Sequence, residues 1–395
     1  MLLFKHQEKY AKGYPNKELV VHEGGTGKTI CACVWLKDGR DKDALVVCPK
    51  RVVEKWHEAL TAWGTKATVL SKEQFKKTPL KIWSALVIDE ADEFASPLFG
   101  RGRSQLATTL YRLVSKSPSR PILLLTATPI RSTPWNLHTL LVFLGVYIDW
   151  KLWRARFFSL ERRPFLPRPT WLPKKEWRKM IRPTLEKYSD IVLLKDCVGS
   201  LPAVKEVTIK TKPRRKLIEE PWDVNFYDKH RIEQDNKVDS ILEISRSYRK
   251  VLVVAYYVEQ VEQLEEELSN RRQTFAVHGK TIKQEQVLKE ANESDECFLI
   301  VQASLGAGFD ADSFSCVVFA SMSFKARDFV QMKYRVRRIH NLHPVVYYYL
   351  IGGICDAKVK QTIELGRDFI PSEWGPTTST PSLRPSRSED YSSRY

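Results

Sequence analysis

The stretch Leu19–Ile30, LVVHEGGTGKTI, combines residue types that bind phosphate. Its apolar start predicts a buried strand, which a glycine-rich turn joins to a helix. Backbone N–H groups of such a turn converge on one concavity and the helix N-terminus adds partial positive charge, so the turn can hold phosphate oxygens. Lys28 would reach the β- and γ-phosphates of a nucleotide, and Thr29 would place its hydroxyl on the bridging Mg²⁺. The predicted nucleotide-binding residues here are Gly25, Thr26, Gly27, Lys28 and Thr29.

The strict phosphate-loop pattern requires glycine at both ends of a four-residue gap. His22 occupies the first of these positions, so the pattern is broken there. A glycine-rich strand-to-helix turn without a ligand is therefore an alternative interpretation of this stretch alone.

Two acidic residues follow a second apolar run. Leu86–Ile88 predicts another buried strand, and Asp89 and Glu90 stand at its C-terminal end. Ligands bind at this edge of open α/β sheets. We expect Asp89 to hold the water shell of the metal and Glu90 to orient or deprotonate the attacking water. A strand followed by acids is a common chance match, but such a match after a phosphate loop is much rarer.

Polar residues in three further stretches of the sequence could contribute to a binding site. Gln7, just before the loop strand, carries an amide that can both donate to and accept from the edge of adenine, which predicts ATP; a surface glutamine is the alternative. Thr126 and Thr128 close the apolar run ILLLT, where their hydroxyls could bond to the neighbouring acids and relay whether phosphate is present. Lys50 and Arg51 follow the run ALVVC and predict either a nucleic-acid phosphate contact or an ordinary strand-helix unit.

Three polar residues in the second half of the chain are separated by helical spacing. Gln331, Arg335 and Arg338 are spaced i, i+4 and i+7, which places them on one helix face. Two guanidinium groups aimed at a γ-phosphate would act as arginine fingers, which raise the rate about 10³–10⁵-fold. A basic helix without a partner is the alternative. The glycine-containing stretch Gly306–Asp310 precedes this helix.

The segment Trp150–Lys187 differs in composition from its surroundings. It holds twelve Lys and Arg residues against three Glu, with four tryptophans interleaved and prolines that predict a stiff loop. Bases mixed with aromatic residues suit a nucleic acid, although the tryptophans could instead anchor the segment to the core. The residues predicted to contact nucleic acid are Lys50, Arg51, Arg162, Arg163, Lys174 and Lys175.

Composition narrows the class of protein. A net charge of +17 favours an anionic partner, with nucleic acid ahead of a membrane surface because no basic amphipathic helix has an aromatic face. No apolar run approaches the roughly 18 residues that span a membrane. Seven cysteines without a CxxC pair predict reduced core residues of a cytoplasmic protein, and the eight histidines form no ligand-spaced cluster in the sequence.

Alternating strands and helices occur in two series, so the chain predicts an α/β fold with two parallel sheets. The first series lies before about residue 145, and the second begins with Val251–Ala255. The predicted divisions are a nucleotide-binding lobe (1–145), a basic insertion and connector (146–240), a second lobe (241–368) and a disordered Pro, Ser and Thr-rich tail (369–395).

Taken in order, these motifs resemble those of superfamily 2 helicases and translocases, most closely the Swi/Snf-type branch. The resemblance runs from Leu3 to about Asp368. It implies two RecA-like lobes in tandem, with ATP and Mg²⁺ bound between them. Gln7 falls on the adenine-reading glutamine of the family, and Asp89–Asp92 falls on its acidic box. The residues on its coupling motifs are Thr126, Thr128, Gly308, Asp310 and Gln331.

The resemblance implies a compact, monomeric bacterial, archaeal or phage motor that couples ATP hydrolysis to movement on DNA or to its remodelling, with duplex or branched DNA favoured over RNA. Two alternatives remain at this point. The first is an RNA-dependent remodelling ATPase. The second is a non-catalytic DNA-binding module, which the presence of Lys28, Asp89 and Arg335 disfavours.

Overall fold

The computed structural model describes most of the chain, and the described residues are 3–12, 15–79, 81–98, 104–131, 133–162, 169–197, 203–211, 237–305, 309–337, 343–352 and 354–366. The described residues form two compact units, one within residues 3–197 and the other within residues 203–366. Each unit is built around its own six-stranded sheet.

The sheet of the first unit is entirely parallel, with strand order β3-β2-β4-β5-β1-β8. Valine, leucine and isoleucine dominate its central strands, which are buried on both faces, as expected for a parallel sheet. Its strands are β1 (Lys17–His22), β2 (Ala44–Cys48), β3 (Thr68–Ser71), β4 (Ala85–Asp89), β5 (Ile122–Thr126) and β8 (Ser189–Val192).

Alternate residues of these strands enter two apolar clusters, one on each face of the sheet. In β2, Leu45 and Val47 join one cluster and Val46 joins the other, which is the two-residue period of a strand. The helices that flank the sheet are α1 (Lys5–Ala11), α2 (Lys28–Lys37), α3 (Val53–Ala62), α4 (Lys72–Lys77), α5 (Gln105–Ser115), α6 (Trp135–Phe143), α7 (Trp150–Phe157), α8 (Trp177–Tyr188) and α9 (Leu194–Cys197).

A small antiparallel hairpin lies between α7 and α8. Its strands are β6 (Phe158–Glu161) and β7 (Thr170–Pro173), and Leu160 lies directly opposite Trp171. The hairpin and its flanking helices pack on the first unit through Trp153 and Trp177, which belong to one of its apolar clusters.

The sheet of the second unit is also entirely parallel, with strand order β11-β12-β10-β13-β14-β9. Its strands are β9 (Val204–Lys210), β10 (Lys250–Ala255), β11 (Thr274–Val277), β12 (Cys297–Gln302), β13 (Cys316–Phe319) and β14 (Val345–Ile351). Its helices are α10 (Lys237–Ser245), α11 (Val258–Ser269), α12 (Gln284–Glu293), α13 (Ala326–Val336) and α14 (Ile354–Glu364).

The predicted fold class is confirmed, since two parallel α/β sheets follow each other along the chain. The segment predicted as an insertion and connector, 146–240, contributes instead to both units: β8 extends the first sheet, and β9 extends the second. Both are edge strands with one neighbour, and their partly exposed residues lack the apolar run by which the central strands were recognised. Among the described residues, no helix is long and apolar enough to cross a membrane.

Candidate nucleotide-binding site and nucleic-acid surface

The predicted phosphate loop forms the turn between β1 and α2. Gly25 and Gly27 both have φ of +83°, a conformation that side-chain-bearing residues rarely adopt. A Cβ atom on Gly27 would also lie only 2.5 Å from Nε2 of Gln7. Backbone conformation and close packing therefore both require glycine at position 27.

The predicted phosphate ligand, Lys28, is the first residue of α2. Its ammonium donates hydrogen bonds to the carbonyl oxygens of His22 (2.8 Å) and Glu23 (3.1 Å), so it folds back over the loop. Thr29 follows in the first turn of the helix, where unpaired N–H groups and the helix dipole attract anions. Phosphate oxygens and a magnesium ion fit this arrangement of a cation, helix N–H groups and a hydroxyl.

Gln7 lies against the loop from α1 and is almost completely buried. Its Nε2 donates to the carbonyl oxygen of Thr26 at 3.3 Å, and its Oε1 accepts from the backbone N–H of Phe4 at 3.0 Å. A cavity of about 370 Å³ lies beside this region. Its lining residues are Phe4, Lys5, His6, Ile191, Val192, Asp196 and Cys197.

His22, which breaks the strict loop pattern, is completely buried and bonded to a carboxylate. Its Nε2 lies 2.9 Å from Oδ2 of Asp190 on the neighbouring strand β8. The same carboxylate accepts a hydrogen bond from the Tyr10 hydroxyl at 2.6 Å and pairs with Lys9 at 3.0 Å. Burial opposes ionisation of Asp190, but the donors His22, Tyr10 and Lys9 outweigh it and hold its pKa well below the usual range.

Burial lowers the pKa of His22, against the opposing effect of Asp190. The pair is therefore a carboxylate and a neutral imidazole, in which Nε2–H of His22 donates. The side chain at position 22 thus ties the start of the phosphate loop to β8, a role that glycine cannot fill.

We expect the first unit to lose stability as the pH falls from about 7.5 to 5.5. Burial lowers the pKa of both His22 and His138 below their ordinary value of 6.5, so the unfolded chain takes up protons before the folded chain does. The unfolding temperature should fall by a few degrees. Tryptophan fluorescence can follow this, because nine of the eleven tryptophans precede residue 198.

The matched variants are His22→Gln and His57→Gln. A glutamine at position 22 keeps an N–H donor for Asp190 but does not titrate, so it should make the loss smaller. His57 is exposed, and its replacement should leave the loss unchanged. Equal losses in wild type and His22→Gln would contradict the assignment to His22.

Two histidines and a cysteine that are distant in sequence meet beneath the loop. One ligand atom each from His6, His22 and Cys31 lie within 4.8 Å of one another, a grouping that spacing along the sequence does not show. The ring of His6 donates through Nε2 to the Thr26 carbonyl at 2.9 Å. Imidazole and thiolate are the donors that zinc prefers, and a hydrogen-bonded second ring nitrogen is typical of its histidine ligands.

The predicted metal and water ligands stand at the end of β4. Oδ2 of Asp89 accepts a hydrogen bond from the indole N–H of Trp56 at 3.0 Å, and Oδ1 accepts from the backbone N–H of Glu90 at 2.9 Å. Trp56 is buried in α3, so it fixes the orientation of the Asp89 carboxylate. Glu90 has a φ of +50°, a strained conformation for a residue with a side chain.

The predicted coupling threonine, Thr126, bonds to the acidic stretch. Its hydroxyl donates to Oδ1 of Asp92 at 3.0 Å and accepts from the backbone N–H of Thr128 at 3.0 Å. The other oxygen of Asp92 pairs with Arg131 at 2.6 Å, and Asp92 is fully buried. Arg178 of α8 donates to the carbonyl oxygen of Arg131 at 2.6 Å. A chain of contacts thus joins the basic segment to the acidic stretch.

Of the predicted residues of the second unit, the structure describes Gln331 and Arg335 on α13 and Asp310 before it. Arg335 donates to the carbonyl oxygen of Phe309 at 2.9 Å, and Gln331 is buried on the same helix. Asp310 is exposed. The helix ends at Val336, so the predicted continuous face does not extend to position 338. Gly308 and Arg338 lie outside the described residues.

The predicted nucleic-acid residues differ in their surroundings. Lys50, Arg51, Arg162 and Lys175 are exposed. Lys174 donates to the carbonyl oxygens of Ala155 and Arg156, both at 2.9 Å, at the C-terminal end of α7. Arg163 lies outside the described residues.

The tryptophans of the basic segment divide into two pairs. Trp153 and Trp177 are buried core residues, as the structural alternative predicted, whereas Trp150 and Trp171 are 37% and 39% exposed.

Sequence reasoning missed several residues that hold the site together. The contacts of Trp56, Asp190, Arg131 and Arg178 were not anticipated. Each of them acts through a partner at least 33 residues away along the chain. Helical and strand periodicity carries no signal of such long-range pairs.

Residues 234–340 match the helicase conserved C-terminal domain. The match lies in the second unit and extends from just before α10 to just after α13.

The helicase domain of Pyrococcus furiosus Hef has a similar fold, with a TM-score of 0.51 at 14% identity over 91% of this chain and 97% of that chain. The Sulfolobus solfataricus SWI2/SNF2 ATPase core, solved in complex with double-stranded DNA, has a TM-score of 0.43 at 13% identity over 92% and 91%. No curated protein sequence matches the chain. The resemblance to superfamily 2 helicases and translocases is confirmed in fold and in the C-terminal domain.

Proposed function

We propose that the chain is an ATP-driven DNA motor, a helicase or a double-stranded DNA translocase. The observation that carries this proposal is the alignment of three strand ends. The phosphate loop follows β1, Thr126 ends β5 and Asp89 ends β4, and these strands are neighbours in the order β4-β5-β1. Because the strands are parallel, all three groups stand at one edge of the sheet, where α/β proteins bind ligands.

The loop would neutralise the negative charge of the phosphate oxygens of ATP. Mg²⁺ would polarise the γ-phosphate. Lys28 would exchange its two carbonyl partners for phosphate oxygens, and Thr29 would supply a hydroxyl to the metal. Asp89, held by Trp56, would orient the metal's water shell. Glu90 would orient or deprotonate the attacking water.

The cavity beside the loop supports a site for the adenine base. Phe4, Ile191 and Val192 give it apolar walls, and His6 and Gln7 connect it to the loop through the Thr26 carbonyl. Most nucleotide sites combine such apolar walls with few polar groups. Gln7 would act here by fixing the loop and by offering its amide to the base edge.

Residues of the second unit would also take part in ATP hydrolysis. We infer from the family resemblance that Arg335 and Arg338 act as arginine fingers and that Gly308, Asp310 and Gln331 couple the units to the nucleotide state. Closure on ATP and release after hydrolysis would shift the units along DNA.

DNA would contact the basic surfaces of the chain. A net charge of +17 and the exposed bases Arg162 and Lys175 support this assignment. Lys50 and Arg51, at the end of β2, would contact the phosphate backbone, and so would Arg163 and Lys174 of the basic segment.

The test is ATP hydrolysis measured in parallel without nucleic acid and with single-stranded DNA, duplex DNA, branched DNA or RNA. We expect duplex or branched DNA to stimulate hydrolysis strongly, because a DNA motor couples its ATP hydrolysis to DNA binding. Stimulation by RNA alone would instead identify an RNA-dependent ATPase. Absence of hydrolysis under all conditions would identify a non-catalytic DNA-binding module.

Paired charge variants show whether the basic segment supplies the DNA contacts. Arg162→Gln with Lys175→Gln should raise the DNA concentration needed for stimulation and flatten its salt dependence, by about 0.9 in log-log slope for each phosphate that the chain no longer neutralises. Arg112→Gln with Lys116→Gln removes two exposed charges at the end of α5 and is the control. Equal effects of the two pairs would assign DNA binding to overall charge.

A further inference from the structure

Two exposed indoles flank one guanidinium on the surface of the basic segment. The guanidinium carbon of Arg154 lies 4.9 Å from the ring centre of Trp150 and 4.4 Å from that of Trp171. Trp150 and Arg154 are one turn apart on α7, whereas Trp171 comes from β7. We call these three side chains the indole stack.

The backbone around the indole stack is held at both ends of α7. Asp149 accepts hydrogen bonds from the N–H groups of Lys151 (2.7 Å) and Leu152 (3.1 Å) at the start of the helix. Lys174, three residues after Trp171, bonds to the last carbonyls of the helix and so joins it to the end of β7. Trp153 anchors the same helix in the core. The stack is thus a fixed feature of the folded unit, as binding sites require.

An exposed apolar side chain lies beside the indole stack. Leu160, the cross-strand partner of Trp171, is 54% exposed. Large apolar side chains grouped at the surface, among bases that outnumber acids twelve to three in this segment, are typical of an interface.

The combination of flat apolar faces and positive charge favours single-stranded DNA over duplex DNA. In duplex DNA the faces of the bases are stacked on one another, so a protein reaches phosphates and groove edges, for which indole faces are not needed. Unpaired bases expose their faces, and aromatic side chains bind them by stacking, with arginine adding cation–π and phosphate contacts.

We propose that the indole stack binds unpaired bases of single-stranded DNA. This inference rests on the proposed function, since it takes DNA as the substrate, and it adds that the chain holds a separated strand at β7 and α7. Trp150 and Trp171 would stack on bases, and Arg154 would contact the intervening phosphate.

The experiment compares two oligomers that carry the same number of phosphates. One is fluorescently labelled oligothymidine of about 12 nucleotides, within the usual range of single-strand site sizes, and the other is an abasic oligomer of equal length. Binding is measured by anisotropy without ATP. We expect the wild-type chain to prefer oligothymidine by about 5- to 150-fold, the range for one stacked base.

Trp171→Ala should remove most of this preference while leaving the affinity for the abasic oligomer unchanged, which also shows that the variant is folded. Trp171→Phe should keep part of the preference because it keeps an aromatic face. Tyr147→Ala removes another exposed aromatic side chain, outside the indole stack, and should have no effect.

Equal wild-type binding of the two oligomers, or a preference that survives in Trp171→Ala, would overturn the proposal. DNA stimulation of ATP hydrolysis, measured on the same preparation, separates this failure from that of the proposed function. Stimulation of ATP hydrolysis by DNA, without a preference for oligothymidine over the abasic oligomer, would refute only the indole-stack proposal. Failure to bind either oligomer, with no stimulation of ATP hydrolysis by any DNA, would refute both the indole-stack proposal and the proposed function.

Discussion

Lys28→Ala should lower the kcat for ATP hydrolysis by at least about 10²–10³-fold while DNA binding is retained. The ammonium of Lys28 already lies over the phosphate loop, bonded to the carbonyl oxygens of His22 and Glu23. In the nucleotide complex it would neutralise phosphate charge that develops during transfer, and the loss of one such preorganised group has an effect of this size. Hydrolysis at saturating DNA, with DNA binding measured separately, provides the check.

Lys37→Ala is the matched control, since Lys37 is an exposed lysine in the last turn of the same helix. It removes the same charge from α2 without touching the loop and should leave kcat unchanged. Turnover retained in Lys28→Ala would refute the assignment of the phosphate loop.

Arg131→Met should destabilise the first unit by about 3–5 kcal/mol. Arg131 is the cationic partner of Asp92, to which it bonds through Nη2 (2.6 Å) and Nε (2.8 Å). The Asp92 side chain is completely buried, whereas that of Arg131 is 29% exposed. Loss of the arginine would leave a carboxylate charge in the core without this compensation, which is the costly way to break a buried pair. Denaturant unfolding followed by tryptophan fluorescence measures the change.

Asp92→Asn breaks the same pair from the other side and should have a smaller effect, about 1–2 kcal/mol. The asparagine keeps an oxygen for the Thr126 hydroxyl, and Arg131 can turn its charge towards water. A larger loss for Asp92→Asn than for Arg131→Met would contradict this asymmetry of burial.

The sequence was sufficient for features that depend on local patterns. The strand-to-helix turn at Gly25–Thr29 was predicted from consecutive residues, and the central strands were predicted because parallel strands buried on both faces are nearly continuous apolar runs. The bounds of β2 and β5 agree with the apolar runs ALVVC and ILLLT. Edge strands β8 and β9 were missed because one exposed side weakens that signal.

The contacts that support the site could not be predicted, because they depend on which elements meet. His22 was interpreted as a break in a pattern, and only the pairing of β1 with β8 reveals Asp190 as its partner. The four tryptophans of the basic segment are alike in the sequence. Burial alone separates Trp153 and Trp177, which anchor the segment, from Trp150 and Trp171, which remain at the surface.

The hydrogen bond from Arg178 to the carbonyl oxygen of Arg131 has a mechanical consequence. Helix α8 carries exposed basic residues, and Arg178 in its first turn donates this bond; the guanidinium of Arg131 in turn binds the carboxylate of Asp92. A load applied to α8 by a bound polymer would therefore be transmitted as tension to the hydroxyl of Thr126, at the end of β5. Few contacts make up this path. A force exerted by bound DNA and the presence of nucleotide phosphate would therefore act on the same hydroxyl and carboxylate groups.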